Sequence, residues 1–164
     1  MQDSFIEQTT QQTPLADVLA FETATKDLVG VALRSLELLE GEVSLPQYRL
    51  LLLLAERGRA SSTQAAQALG LAGSSITRLS DRLHASGHLL RGADPTNRSV
   101  VTLELTARGH DLVDQVTTRR RQELSRALDR LDPAERAACA QGLRSLHERL
   151  GADYTIGLHG PMPL

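Results

Sequence analysis

Arg78, Arg82 and Arg98, the hydroxyls of Ser74, Ser75 and Thr77 and the amide of Asn97 are the side chains whose type and spacing could do chemistry in this chain. That chemistry is recognition of phosphates and base edges rather than bond making. With Ile76, Leu79 and Leu83 facing inward at helical spacing, Ser74, Arg78, Asp81 and Ala85 face outward. An outward Arg78 could fork onto O6 and N7 of a guanine, an interaction worth about 1–3 kcal/mol of discrimination. Ser74, Ser75 and Thr77 fall near the start of the same helix, where hydroxyls reach phosphates or base edges. Local N-capping is an equal use for Ser74 or Ser75. Arg82, on the flank, suits a phosphate. Asn97 and Arg98 fall at a hairpin tip, and an arginine there suits a narrow A·T-rich minor groove. Asp81 would repel DNA unless paired, either with Arg78 three residues earlier or with Arg98. Asp94 opens the tip turn Asp94-Pro95-Thr96-Asn97 and would position the hairpin.

Other chemistries find little support. There is no glycine-rich phosphate loop and no nucleophile elbow, so no enzyme and no cofactor is expected. His84 and His88 are separated by the helix-breaking Gly87, and His110, Asp111 and Asp114 lack a strong ligand spacing, so no metal is expected. The single cysteine, Cys139, lies among Ala137, Ala138 and Ala140, and a small buried apolar role is expected for it; a redox sensor is the alternative. Four scattered aromatics (Phe5, Phe21, Tyr48, Tyr154) make a poor stacking platform for single strands, which leaves double-stranded DNA as the target.

These residues need elements to position them. Apolar positions recur at helical intervals from Pro14 to Leu39, where Gly41 ends the pattern. Ser44-Leu45-Pro46-Gln47 reads as a capping box opening a helix to about Glu56, whose run Leu50 to Leu54 must be buried on nearly every side. After a turn at Arg57 to Ala60, Ser61 or Ser62 caps a short helix, Thr63 to Leu69. A sharp turn at Gly70 leads to a second helix, from about Gly73 to Ala85. Residues His88 to Ala93 read as a strand, and Val101, Leu103 and Leu105 alternate with Thr102 and Glu104 as a second, half-exposed one, the two making a hairpin. Thr106 caps a long helix reaching Leu131, and Asp132 with Glu135 caps a last one ending near Leu150. The fold class expected is mainly α with a small β-wing: a winged helix-turn-helix flanked by long terminal helices.

Charge is segregated although the chain is nearly neutral. Residues 1–56 carry three basic and nine acidic side chains, whereas residues 57–100 carry six basic and two acidic ones. The positive segment coincides with the helix-turn-helix and hairpin, where a nucleic-acid footprint belongs. All the basic residues except Lys26 are arginines, so contacts would be made by guanidinium forks. No apolar stretch is long enough for a membrane span, and the polar N-terminus has no secretory pattern, so a cytoplasmic location is expected.

The order of elements resembles the multiple-antibiotic-resistance regulator (MarR) family of bacterial winged-helix transcription factors. The residues that carry the likeness are Leu45-Pro46-Gln47-Tyr48-Arg49, Ser75-Ile76-Thr77-Arg78-Leu79, Asp81-Arg82-Leu83, Gly87, Asp94-Pro95, Arg98 and Leu105-Thr106-Ala107-Arg108-Gly109. The pattern departs from the family in three places. Ser99 stands where the family's wing arginine usually falls, His88 replaces an apolar residue, and Ala72 replaces a helix-capping serine or aspartate. The resemblance implies a homodimer joined by its terminal helices, repression from a palindromic operator, release by a small aromatic or anionic effector, and pairing of Asp81 with Arg98. It also implies a ligand cleft between the first, second and fifth helices and the DNA-binding part, which Phe21, Tyr48, Arg49 and His110 could line. The domain plan expected is a flexible segment 1–13, a MarR-like domain 14–150 and a loose tail 151–164. Within it, a winged helix spans about 44–105 and dimerisation helices about 14–40 and 106–150. The rival reading from another class is a winged-helix adaptor that grips protein without binding DNA.

Overall fold

The computed structural model describes residues 13–150. The expected flexible start, apart from Thr13, and the expected tail 151–164 lie outside the described residues. Helix α1 (Leu15–Leu36) ends in a 3-10 turn, Glu37–Leu39. Then come α2 (Leu45–Arg57), strand β1 (Ala60–Ser61), α3 (Ser62–Leu69), α4 (Gly73–Ala85), strands β2 (Leu89–Ala93) and β3 (Val101–Leu105), α5 (Ala107–Leu128) and α6 (Pro133–Leu150). The structure is mainly helical with one small sheet, a winged helix-turn-helix carried between long helices.

Helix α2 is the centre of the core. Leu50, Leu51, Leu53 and Leu54 are all buried, and they form one core with Leu69 of α3, Ile76 and Leu83 of α4, Leu89 of β2, Leu103 of β3 and Val116 of α5. Its start is held by the expected capping box, in which the Ser44 amide donates to Gln47 Oε1 at 2.9 Å. The Tyr48 ring is buried in this core, and burial pushes its phenol above the ordinary tyrosine range against the opposing charge of Arg120.

The sheet is antiparallel with order β1-β3-β2. Ala60 pairs with Leu103 and Ser61 with Thr102, while β2 runs from Leu89 opposite Leu105 to Ala93 opposite Val101. Strand β1 replaces part of the turn expected at Arg57 to Ala60. Two residues are too few to show alternation, and the pairing comes from β3, about forty residues further along the chain. The other difference in elements is the end of α5 at Leu128 instead of Leu131, where the chain closes in a turn with the Asp129 amide bonded to the Ser125 carbonyl at 2.8 Å.

The junction of wing and α5 is tightly fixed. Thr106 Oγ1 accepts from the Gly109 amide at 3.1 Å and donates to the Gly87 carbonyl at 2.8 Å, while the Thr106 amide bonds the His88 carbonyl at 3.1 Å. A Cβ on Gly109 would stand 2.2 Å from that carbonyl oxygen, so only glycine allows the approach.

The long helices are packed differently. Only Val31 and Ser35 are buried on α1, and no residue of α6 is buried. Cys139 is therefore exposed, contrary to the burial expected from its alanine neighbours. Small neighbours permit close packing, but nothing in the described chain packs there. Arg120 turns inward and donates from Nε to the buried Ser35 hydroxyl at 3.1 Å, joining α5 to α1. Arg119, its neighbour, lies 3.2 Å from Glu123 on the same helix.

Candidate nucleic-acid interface

Helix α3 is opened by a capping box in which Ser61 Oγ accepts from the Gln64 amide at 3.1 Å and Gln64 Oε1 accepts from the Ser61 amide at 2.8 Å. It closes on Gly70, whose φ of 64° is left-handed, and the Leu71 amide returns to the Ala66 carbonyl at 3.0 Å. This turn sets the angle between α3 and α4. Ala72 is the N-cap of α4 and has no side-chain bond to offer, so neither Ser74 nor Ser75 caps the helix.

Ile76 and Leu83 seat α4 in the core, with Leu79 half-buried beside them. The opposite face exposes Ser74, Thr77, Arg78, Asp81 and Arg82, and Ser75 lies half-buried at its edge. Thr77 spends its proton on the Gly73 carbonyl at 3.1 Å, leaving its oxygen free to accept. Ser80, which sequence spacing does not single out, is fully buried and donates to the Thr77 carbonyl at 2.9 Å.

The wing tip is held from within. Asp94 Oδ1 accepts from the Thr96 hydroxyl at 2.5 Å and from the amides of Thr96 and Asn97 at 2.8 and 3.1 Å. These bonds, the hydroxyl first, hold the Asp94 carboxyl below the usual carboxylate range. Asn97 Oδ1 accepts from the Ser99 amide at 3.1 Å, so its NH2 group remains for an outside partner. Arg98 is exposed at the tip.

Asp81 pairs with neither Arg78 nor Arg98. Its carboxylate is bound by Arg91 of β2. The reason is register: β2 returns beside α4 immediately after the Ser86-Gly87 turn, which brings Arg91 level with Asp81, while Arg98 lies beyond the hairpin turn. Among the described residues, Arg78, Arg82 and Arg98 form no ion pair, so three guanidinium groups on α4 and the wing are uncompensated.

The structure adds residues that the sequence pattern left unmarked. Ser62, Thr63 and Gln67 of α3 line a cleft of about 490 Å³ with Gly73 and Thr77 of α4. Their signal was available: polar residues at positions 63, 64 and 67 share the solvent face of a helix whose alanines are buried. His88 is fully buried and bonded to Ser86 and Glu42. Its signal was a titratable residue at a strand start, without any hint of its partners.

Two other clefts lie away from this face. One of about 540 Å³ is walled by Leu33, Leu36, Leu39, Val43 and Leu45 and carries Glu40 and Glu42. One of about 440 Å³ is lined by Leu38, Asp111, Asp114, Gln115, Thr118, Arg119 and Gln122. Phe21, Tyr48, Arg49 and His110 line none of the three: Phe21 and His110 are exposed, Arg49 half-buried and Tyr48 in the core. No group of acids, histidines and cysteines able to hold a metal occurs among the described residues, and no described helix is long and apolar enough to cross a membrane.

A recognition helix beside a wing is a geometry shared with known proteins. The MarR family model matches residues 43–101, which run from just before α2 to the first residue of β3. An uncharacterized HTH-type transcriptional regulator, YfiV of Bacillus subtilis (strain 168), is 30% identical over 109 residues, covering 66% of this chain and 68% of that protein. The chain belongs to the MarR family. The crystal structure of RV1404 from Mycobacterium tuberculosis superposes with a TM-score of 0.77 at 31% identity, covering 87% of this chain and 98% of that one. A more distant fold match is a point mutant of S. aureus MepR bound to an oligodeoxyribonucleotide, with a TM-score of 0.66 at 19% identity, covering 82% of this chain and 97% of that one. As a MarR protein the chain is a winged-helix transcriptional regulator and not an enzyme.

Proposed function

We propose that this MarR regulator is a homodimeric repressor that occupies a palindromic double-stranded operator and leaves it when a small ligand binds. The observation that carries the reading is the trio of exposed arginines without ion pairs among the described residues, Arg78 and Arg82 on α4 and Arg98 at the wing tip. Arg78 would read a base edge in the major groove. Ser74, Ser75, Thr77 and Arg82 would hold the backbone, and Arg98 with the free amide of Asn97 would enter the minor groove. Asp81 and Asp94 would set the wing's position through Arg91 and the tip turn. That the MepR mutant of the same fold is bound to DNA supports this use of the face.

The dimer reading rests on α1, where Leu15, Val18, Leu19, Phe21, Leu28, Val29 and Leu33 are all exposed in the single chain. An apolar surface of that extent needs a cover, and a second copy applied to α1 and α6 would supply it. Two recognition helices could then enter successive major grooves roughly 34 Å apart.

For the effector, the cleft beside the 3-10 turn has apolar walls suited to an aromatic body, but Glu40 and Glu42 would repel an anion. A neutral aromatic therefore fits that cleft better, and it would act by shifting the population away from the DNA-binding arrangement. The test is sedimentation of the protein with its own upstream promoter duplex and with a scrambled duplex. Two protomers per promoter, and none on the scrambled duplex at equal concentration, is the expected result. A folded dimer that ignores both would favour the protein-gripping adaptor.

A further inference from the structure

His88 is the one acid or base side chain among the described residues with no exposed surface. Its Nδ1 lies 2.8 Å from Ser86 Oγ and its Nε2 3.1 Å from Glu42 Oε1. The same carboxylate oxygen accepts from Arg108 Nη2 at 2.5 Å, and Ser86 Oγ lies 3.2 Å from the Leu83 carbonyl.

A serine hydroxyl has one proton, which decides the protonation states this cluster can hold. If Ser86 donates to Leu83, then Nδ1 can bond Ser86 only by donating. Nε2 donates to Glu42, so the ring then carries both protons and a charge. If the ring is neutral with Nε2–H on Glu42, Nδ1 must take the Ser86 proton. The Leu83 carbonyl is then left with the His88 amide, 2.9 Å away. Both states leave every group satisfied. They differ in the His88–Glu42 contact, which is an ion pair in one and a weaker bond in the other.

The backbone of His88 cannot move with that change. Its amide is held by Leu83 and its carbonyl by Thr106, and Gly109 presses against that carbonyl. The partner that can respond is Glu42, in the loop 40–44 that joins the 3-10 turn of α1 to α2. The geometry points to a proton-binding latch: a second proton on His88 ties the loop 40–44 to the base of the wing, making the coupling between the long helices and the recognition helix depend on pH. The ionisable groups on the surrounding segments are Glu40 and Glu42 in the loop, Arg82 and His84 on α4, Arg91 on β2, Glu104 on β3, and Arg108 and His110 on α5. Only Glu42 touches the ring, with Arg108 sharing its oxygen. His84 is occupied with the Leu89 carbonyl at 2.9 Å, Arg91 with Asp81, and Glu104 with Arg59 at 3.4 Å.

The consequence for DNA rests on the reading above; the latch itself does not. The test is hydrogen exchange of the full-length protein at about pH 6 and pH 8, the range in which histidines usually change charge, corrected for the intrinsic rate. The amides to follow are those of Glu42 and Val43, both bonded to the Leu39 carbonyl. Their protection should fall severalfold from the lower to the higher pH in the wild type. His88→Gln, which keeps a polar side chain but cannot titrate, should be flat. If it does not fold, Glu42→Gln answers the same question by removing the counter-charge. Promoter affinity should change in parallel in the wild type and in the control His84→Gln, but not in His88→Gln. Protection that ignores pH in the wild type, or that responds equally in His88→Gln, overturns the latch. Protection that responds while promoter affinity does not overturns its coupling to DNA. A protein that binds no duplex leaves the exchange experiment intact and counts against the DNA reading alone.

Discussion

Arg78 and Arg98 were legible in the sequence as cations because helical spacing alone puts position 78 opposite Ile76 and Leu83, and a turn places 98 at a tip. The partner of Asp81 was not legible. Pairing depends on how far β2 travels before Arg91 passes α4, a three-dimensional register that no local pattern encodes. The same holds for Glu42, which meets His88 and Arg108 from distant parts of the chain. The Glu42 carboxyl is held below its ordinary value chiefly by the Arg108 hydrogen bond, with desolvation opposing. A depressed folded value means that its contribution to stability is present above the ordinary carboxylate pKa and is lost as pH falls through the folded one. Glu42→Gln should therefore lower Tm at neutral pH, and its deficit should close on acidification below about pH 4. A deficit that stays constant down to acid unfolding would contradict this account of Glu42.

At the scale of elements, the caps made most boundaries readable: Ser44 with Gln47, Thr106, and Asp132 with Glu135 act as their spacing suggested, and of the two candidates Ser61 and Ser62 it is Ser61 that caps α3, with Gln64 as its partner. Strand β1 escaped because its two residues exist as a strand only through β3. The close contact at Gly109 also escaped, since a glycine in the first turn of a helix looks like a propensity defect until the His88 carbonyl is seen against it. Gly109→Ala would raise helix propensity by roughly 1 kcal/mol in an isolated helix. Here the added methyl meets backbone, and overpacking of that kind costs about 1–3 kcal/mol. Thermal unfolding should show a lower Tm for the variant. A higher Tm would mean that the junction of wing and α5 yields easily.

The whole molecule carries the parts of the account that sequence periodicity handled least well. Cys139 read as buried because a run of alanines permits close packing, yet α6 has no buried residue in the single chain. The clefts likewise depend on how α1, the 3-10 turn and α5 meet, and they formed at Leu33 to Leu45 and at Leu38 with Asp111 to Gln122, away from the four residues expected to line one. The exposed leucines of α1 are the molecular-scale counterpart of the dimer proposal. Leu28→Glu would place a charge in an apolar contact between copies while costing little in a free surface. Sedimentation should then move from dimer to monomer with the far-UV helical signal retained; an unshifted dimer would place the interface elsewhere.

In the proposed function, α4 and the wing read duplex DNA through Arg78 and Arg98. Fluorescence anisotropy over a salt series, with the upstream promoter duplex and a scrambled one, tests it for the wild type, Arg78→Ala and Arg98→Ala. The wild type should prefer the promoter and show a steep salt slope. Arg78→Ala should lose about 1–3 kcal/mol of that preference, whereas Arg98→Ala should weaken both duplexes alike and flatten the slope by about one. Equal affinity, preference and slope in all three proteins would contradict the account.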